Sequence, residues 1–313
     1  MLGYFFRRIL AVIPVMLLVA IFVFLLLRLT PGDPAAIIAG DMATPEQLER
    51  IREGMGLNQP MLSQFVTWMG QLLRGDLGIS LISHTPVSGM IADRIGPTVS
   101  IAMLTIIMSV VLAVPMGVVA AWKHQSISDY AVMTFSVLGF SVPVFVIGYL
   151  FMLVFSLKLG WLPVQGFTPI SMGILPFLKT AFLPALTLTT TYVALIARMT
   201  RANMLEVLGE DYIRTARAKG AHEGRVLFRH ALKNAAVPIL TVIGTGFAML
   251  ISGVVVTETV FNIPGIGRLT VDAILARDYP VIQAMILLTS FFYVLINLII
   301  DISYSFFDPR IHY

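Results

Sequence analysis

Long apolar runs recur along the chain, and they constrain its fold more than any other feature. The first occupies residues 9–27, and at about 1.5 Å per residue a helix of that length crosses a hydrocarbon core of roughly 30 Å. Further runs of this kind occupy residues 98–122, 130–157, 180–197, 236–257 and 281–304. Because only helices and closed barrels satisfy the backbone inside a bilayer, we predict an all-α polytopic membrane protein with six transmembrane helices.

The composition supports a membrane protein and argues against several other classes. Hydrophobic residues make up 58% of the 313 residues and charged residues only 12%, whereas soluble domains carry about 25% charged residues. The sequence has no cysteine, which excludes disulfides, thiolate metal sites and iron-sulfur clusters. The basic residues interrupt apolar runs and form no separate basic domain. The net charge of +4 therefore indicates orientation in the bilayer, and no nucleic-acid binding is expected.

The positions of the basic residues predict the orientation. With the amino terminus in the cytoplasm, 12 of the 21 Lys and Arg residues lie in inner segments, at a higher density than in outer ones. An even number of spans then places both termini in the cytoplasm. The chain divides into a first transmembrane helix at 1–29, an extracytoplasmic helical insertion at 30–97, and a core of five transmembrane helices at 98–313. In the insertion, Thr44 is predicted to cap a helix that begins at Pro45.

The most charged segment is the predicted cytoplasmic loop 198–235, which holds eight of the 21 Lys and Arg residues. Gly220 follows a run that ends in Arg and Lys, a position that favours a left-handed helix stop. Helical patterns on both sides of Gly220 predict a helix-turn-helix protrusion, with Asp211 paired to Arg214 on the first helix. Cations on one face of the second helix recur every fourth residue, at Arg225, Arg229 and Lys233. The alternative is that these cations only mark the cytoplasmic side and contact lipid headgroups.

The sequence lacks patterns for catalysis, nucleotide binding and metal binding. It contains no G-x-x-x-x-G-K-[ST] loop, and the Gly-x-Gly at 265–267 lies in a predicted outer loop without a preceding strand, so it predicts a turn. The five histidines lie in loops or near termini, without the spacing of metal ligands. No catalytic, cofactor or metal site is predicted. No charged residue lies near the middle of a predicted span, which disfavours a proton-driven carrier.

Hydroxyl groups are frequent inside the predicted spans and permit two interpretations. They form ordinary hydrogen bonds between helices, or they line a pathway for a solute. The candidate residues for a translocation pathway are Ser141, Thr189, Thr190, Tyr192 and Thr245.

Several stretches resemble the permease subunits of bacterial binding-protein-dependent ABC importers. Residues 211–220 read Asp-Tyr-Ile-Arg-Thr-Ala-Arg-Ala-Lys-Gly, and residues 229–234 read Arg-His-Ala-Leu-Lys-Asn. The first helix ends in Arg-Leu-Thr-Pro-Gly-Asp-Pro at 28–34, residues 258–267 read Glu-Thr-Val-Phe-Asn-Ile-Pro-Gly-Ile-Gly, and the tail 308–313 reads Asp-Pro-Arg-Ile-His-Tyr. These stretches extend over nearly the whole chain. They are similar to the first of the two permeases in dipeptide, oligopeptide and glutathione importers, in the peptide and nickel branch of the family.

The resemblance implies a type I ABC importer permease fold in the bacterial inner membrane, with cytoplasmic amino and carboxyl termini. The implied partners are a second homologous permease in a heterodimer, two cytoplasmic ATPases that use ATP and Mg, an extracytoplasmic solute-binding protein and the lipid membrane. A coupling helix at 216–225 is implied to fit a cleft on the ATPase. The residues implied in this coupling are Asp211, Arg214, Thr215, Ala216, Arg217, Ala218, Lys219, Gly220 and Arg225.

The function expected from this resemblance is that of a non-catalytic membrane subunit that forms half of a translocation pathway for peptides. The rival interpretations are a self-contained secondary carrier or channel for small solutes and a membrane-embedded enzyme. A carrier or channel transports without partners, and an enzyme shows clustered catalytic groups, which the sequence lacks. The substrate stays open between dipeptides, oligopeptides, glutathione, nickel chelates and sugars.

Overall fold

The computed structural model describes residues 2–29, 35, 44–54 and 56–307. Its longer helices are α1 (Leu2–Leu29), α2 (Pro45–Gly54), α3 (Met61–Leu73), α4 (Val87–Trp122), α5 (Ile127–Ser141), α6 (Val144–Phe151), α7 (Ile174–Leu208), α8 (Asp211–Ala218), α9 (Leu232–Val260), α10 (Ile266–Ala276) and α11 (Tyr279–Phe307). The described part of the chain contains no strand, and its only bridge pairs Ile79 with Pro86. Two parts of the stretches that resemble importer permeases lie outside the described residues: residues 30–34 of the stretch 28–34, and the tail 308–313.

Several helices are long and apolar enough to cross a membrane. Among the described residues there are four, or five if α5 and the helix after it form one bent span. The apolar stretch Leu10–Leu25 of α1 is shorter than these helices and is not counted among them. The structure therefore supports a mostly helical polytopic membrane protein. The six spans and the cytoplasmic termini remain a proposal. Helix α4 also begins within the predicted insertion 30–97 and continues unbroken across residue 97.

The span predicted at 130–157 consists of two helices joined by a sharp bend. Helix α5 ends at Ser141, and the chain bends by 104° before it continues from Val144 to Lys158. Val142 is extended, with φ −93° and ψ 125°, because the residue before Pro143 is disfavoured in the helical region. After α6 the chain continues as a π-helix, Met152–Lys158.

The described residues form two compact units, one within 96–268 and 295–307 and one within 2–95 and 269–294. In the first unit α7 is the central helix, since 67% of its most apolar segment is buried, against 28% for the helical segment Glu223–Phe247. Small residues permit close approach to α7. A Cβ at Gly117 of α4 would lie 2.5 Å from Thr200 Cβ, and one at Gly139 of α5 would lie 2.9 Å from Ala194 Cβ.

The second unit contains the described residues of the predicted insertion up to Ile95. Phe24 of α1 packs against Phe65 and Trp68 of α3, with ring centroids 5.3 and 5.7 Å apart. The predicted cap of α2 is confirmed, since the Gln47 backbone N–H donates to Thr44 Oγ1 at 3.3 Å. Gln47 Oε1 in turn accepts from the Thr44 backbone N–H at 3.0 Å. These reciprocal bonds form a capping box.

Candidate coupling site

Helix α8 is held on the protein by one face and exposes the rest. Ile213 is fully buried in an apolar cluster that includes Met204 of α7 and Val226 and Leu227 beyond the turn. Tyr212 adds a polar contact, because its hydroxyl accepts from Asn234 Nδ2 at 2.8 Å. Apart from Ile213 and the half-buried Ala216, all residues of α8 are exposed. The helix therefore presents its charged face to a partner or to solvent from a fixed position.

Gly220 has the left-handed conformation that the sequence predicts, with φ +79°. Its backbone N–H donates to the Arg217 carbonyl at 2.9 Å, and the Ala221 N–H donates to the Ala216 carbonyl at 3.2 Å. These two bonds define a Schellman motif with Gly220 at the left-handed position. A Cβ added at Gly220 meets nothing within 4 Å. The position needs glycine for its backbone conformation and not for space.

Polar contacts brace the turn after α8. Arg217 donates to the carboxylate of Glu223 from Nε at 2.8 Å and from Nη2 at 3.4 Å, a bidentate geometry. His222 Nδ1 accepts from the Gly224 backbone N–H at 3.2 Å and caps the short helix Glu223–Arg225. The pair predicted between Asp211 and Arg214 forms at 3.4 Å. It is largely exposed, so we expect it to contribute little stability.

Two details of the predicted protrusion differ from the structure. The coupling helix expected at 216–225 straddles the turn, and the helix itself is Asp211–Ala218. After Arg225 the backbone forms a π-helix, Val226–Ala231, before α9 begins. Because a π-turn contains more residues than an α-turn, the fourfold spacing of Arg225, Arg229 and Lys233 does not align them on one α-helical face. All three side chains are nonetheless exposed.

A groove of about 430 Å³ lies between α8 and the following helix. Of the predicted coupling residues, Thr215, Ala216, Lys219, Gly220 and Arg225 line it, together with Tyr212, Ala221 and His230. The other predicted coupling residues, Asp211, Arg214, Arg217 and Ala218, lie on exposed parts of α8 outside this groove. The cations at its rim suit an acidic partner surface.

The structure scatters the five candidate pathway residues. Thr189 and Tyr192 are buried in the first unit, and Thr189 Oγ1 donates to the Thr105 carbonyl at 3.5 Å. Ser141 and Thr245 are exposed. The hydroxyls of the other three candidates donate to backbone carbonyls of their own helices. Thr190 donates to Thr187, Ser141 to Val137 and Thr245 to Thr241. This placement does not join the five into one surface of this chain, and their role in a pathway stays a prediction.

Sequence reasoning missed a buried carboxylate at the start of α5. Asp129 is 2% exposed and accepts from Arg201 Nε, from Arg201 Nη2 at 2.8 Å and from the Gln125 backbone N–H at 3.0 Å. His124 Nδ1 lies 3.1 Å from the same carboxylate. The local signal was an acid in the first turn of a helix capped by Ser126. Its main partner is 72 residues away, which no local pattern indicates.

A second buried acid explains the glycines at 265–267. Glu258 is fully buried, and its carboxylate accepts from Thr98 Oγ1 and from the Arg268 backbone N–H, the latter at 3.0 Å. It thereby caps the first turn of α10. A Cβ at Gly265 would overlap this carboxylate. The turn predicted at the Gly-x-Gly lies just before it, at Asn262 with φ +54°, and α10 already begins at Ile266.

Comparison with known families shows to which family this chain belongs. The profile of the family described as binding-protein-dependent transport system inner membrane component matches residues 113–313, and the profile of its N-terminal component matches residues 1–102. The chain belongs to this family. It is an ABC importer permease, as the resembling stretches predicted.

Relatives and a solved structure agree with this assignment. The permease is 55% identical to a probable peptide ABC transporter permease protein of Sinorhizobium fredii, over 99% of each chain. It is 42% identical to the glutathione transport system permease protein of Escherichia coli K12, over the whole of both chains. Its fold resembles a chain of the inward-facing MetNI methionine ABC transporter, with a TM-score of 0.57 at 16% identity, over 70% of this permease and 96% of that chain.

Proposed function

We propose that this permease is a subunit of an ATP-driven importer for peptides, that it forms half of the translocation pathway, and that Asp211–Ala218 couples it to cytoplasmic ATPases. The observation that carries the proposal is the exposed charged helix α8, fixed by buried Ile213 and ended by left-handed Gly220. A rigid protrusion of this kind transmits a displacement to the long helices on either side of it. Isolated cations that only contact lipid headgroups need no such bracing.

Peptides are the proposed substrate class because the compared relatives are peptide and glutathione permeases, and glutathione is itself a tripeptide. The partners in this proposal are a second homologous permease, two ATPases that bind ATP and Mg, and an extracytoplasmic solute-binding protein. The complex lies in the bacterial inner membrane. This chain contributes no catalytic group, and ATP hydrolysis takes place on the partner ATPases.

Reconstitution tests this function directly. Purified permease in liposomes is expected neither to hydrolyse ATP nor to take up labelled dialanine or glutathione, because its sequence contains no phosphate-binding loop. The complex with the partner permease, the ATPases and the binding protein is expected to do both. Robust uptake by the lone chain would support a self-contained carrier and contradict the proposal. Uptake by the complex of nickel chelates or sugars in place of both probes would contradict the substrate class.

Six spans with cytoplasmic termini complete the proposal, and site-directed labelling tests them. The chain has no native cysteine, so a single introduced cysteine is labelled without background from other thiols in this chain. Ser63→Cys lies on exposed α3 and Ala218→Cys on exposed α8. A membrane-impermeant maleimide added from outside is expected to label Ser63→Cys and to label Ala218→Cys only after the membrane is opened. The reverse pattern would invert the orientation.

A further inference from the structure

The buried Asp129 and its partner Arg201 lie on two helices that meet near the coupling segment. Asp129 is in the first turn of α5 and is almost completely buried. Arg201 is in the last turns of α7, with its side chain 19% exposed. The two nitrogens of the guanidinium contact both oxygens of the carboxylate. A bidentate pair of this kind has a defined geometry and resists sliding or rotation of one helix against the other.

The position of Arg201 connects the pair to the coupling site. Helix α7 ends at Leu208, and α8 begins at Asp211. Leu208 is seven positions after Arg201, which corresponds to roughly 10 Å of helix. A displacement of α8 therefore reaches Arg201 through a short and regular piece of backbone.

Helix α5 also packs against α7 at a second point. At Gly139 the helices approach so closely that an added Cβ would lie 3.1 Å from the Thr190 carbonyl oxygen. Gly139 lies ten residues beyond Asp129, at the other end of α5. Small-residue packing holds that end by contact, and the ion pair holds the end nearer to the coupling segment.

We propose that the Asp129–Arg201 pair is a positioning element, which makes α5 move with α7 when the coupling segment is displaced. The inference rests on the proposed coupling function of α8. Neither residue contacts substrate in this proposal. Their role is to keep ATP hydrolysis and solute movement in step. The 104° bend follows the far end of α5, so it moves together with the helix that the pair holds.

Graded substitution at Arg201 tests the proposal in the complete reconstituted complex with dialanine or glutathione as the probe. Arg201→Lys keeps the charge and loses the bidentate fork, and Arg201→Gln loses both. We expect complex assembly to persist while the amount of probe taken up per ATP hydrolysed falls by about 3- to 30-fold, in the order wild type, Lys, Gln. Asp129→Asn is expected to fall near Arg201→Gln. Glu49→Gln, in the exposed Glu49–Arg52 pair, is the matched control and keeps the wild-type ratio.

The outcomes separate this inference from the proposed function. If the wild-type complex shows no ATP hydrolysis stimulated by the loaded binding protein, the proposed function fails. If the wild type is stimulated and Arg201→Lys and Arg201→Gln keep its uptake per ATP, the positioning role is wrong. Loss of assembly in all three variants shows that the pair serves folding alone, and this also overturns the inference.

Discussion

Gly220→Val is expected to uncouple ATP hydrolysis from the loaded binding protein while the complex still reaches the membrane. Gly220 has φ +79°, and a β-branched residue in the left-handed region costs at least about 1 to 2 kcal/mol. Relief of that strain changes the Schellman turn and so tilts α8 relative to α9. Insertion is unaffected, since the residue is exposed and lies between the long apolar helices. Gly220→Ala is expected to show a milder loss.

The measurement is ATPase activity of reconstituted complexes with and without loaded binding protein, with membrane abundance determined alongside. Gly75→Val is a matched control, because Gly75 also has φ +79° and also has nothing within 4 Å of an added Cβ. It applies the same backbone strain after α3, in the other compact unit, and should leave the stimulation intact. Full stimulation in Gly220→Val would show that this loop does not transmit the signal, and its cations would then be markers of orientation.

Gly117→Ala is expected to lower the stability of the permease strongly. The added Cβ would lie 2.5 Å from Thr200 Cβ and 2.7 Å from the Ala197 carbonyl oxygen. Neither atom is at the end of a flexible side chain, so α4 and α7 must separate to admit the methyl group. Overpacking of this kind costs about 1 to 3 kcal/mol. We expect a lower midpoint of thermal unfolding for the detergent-solubilised complex and less monodisperse protein.

Gly89→Ala provides the control for this prediction on the same helix. Gly89 lies in α4, and an added Cβ there meets nothing within 4 Å. Since alanine has the higher helix propensity, this variant should match or slightly exceed the wild-type unfolding midpoint. Equal midpoints for the two variants would mean that α4 and α7 do not pack as closely in solution as they do in this structure.

Local chemistry allowed several features to be predicted from the sequence. Gly220 after Arg and Lys predicted a left-handed helix stop, and Thr44 before Pro45 predicted a cap, because both depend on residues within one turn. The apolar runs predicted the long helices for the same reason, since their length and composition are properties of contiguous sequence. The charged loop also predicted where the exposed helix-turn-helix lies. The coupling helix that the resemblance implied at 216–225 is displaced from the observed helix, Asp211–Ala218.

The prolines show what local sequence does not determine, namely which helices bend. Pro115 and Pro184 lie inside continuous helices, whereas the chain bends at Pro143. A membrane helix tolerates proline where neighbouring groups satisfy the freed backbone, and those neighbours belong to other parts of the chain. The sequence alone therefore determined that helices span these segments, and the tertiary structure decided which of them bends.

The sequence by itself determined the class of this protein, its long helices and the left-handed glycine of the proposed coupling segment. Only the tertiary structure decided which charged side chains pair with each other inside the protein. Arg201 is one of the eight basic residues of the predicted loop 198–235, yet it pairs with Asp129, 72 residues away. A buried carboxylate needs a partner, and the partner is chosen by helix packing. Local composition describes a charge but not its environment, and the environment determines whether that charge orients the chain in the membrane or holds two helices together.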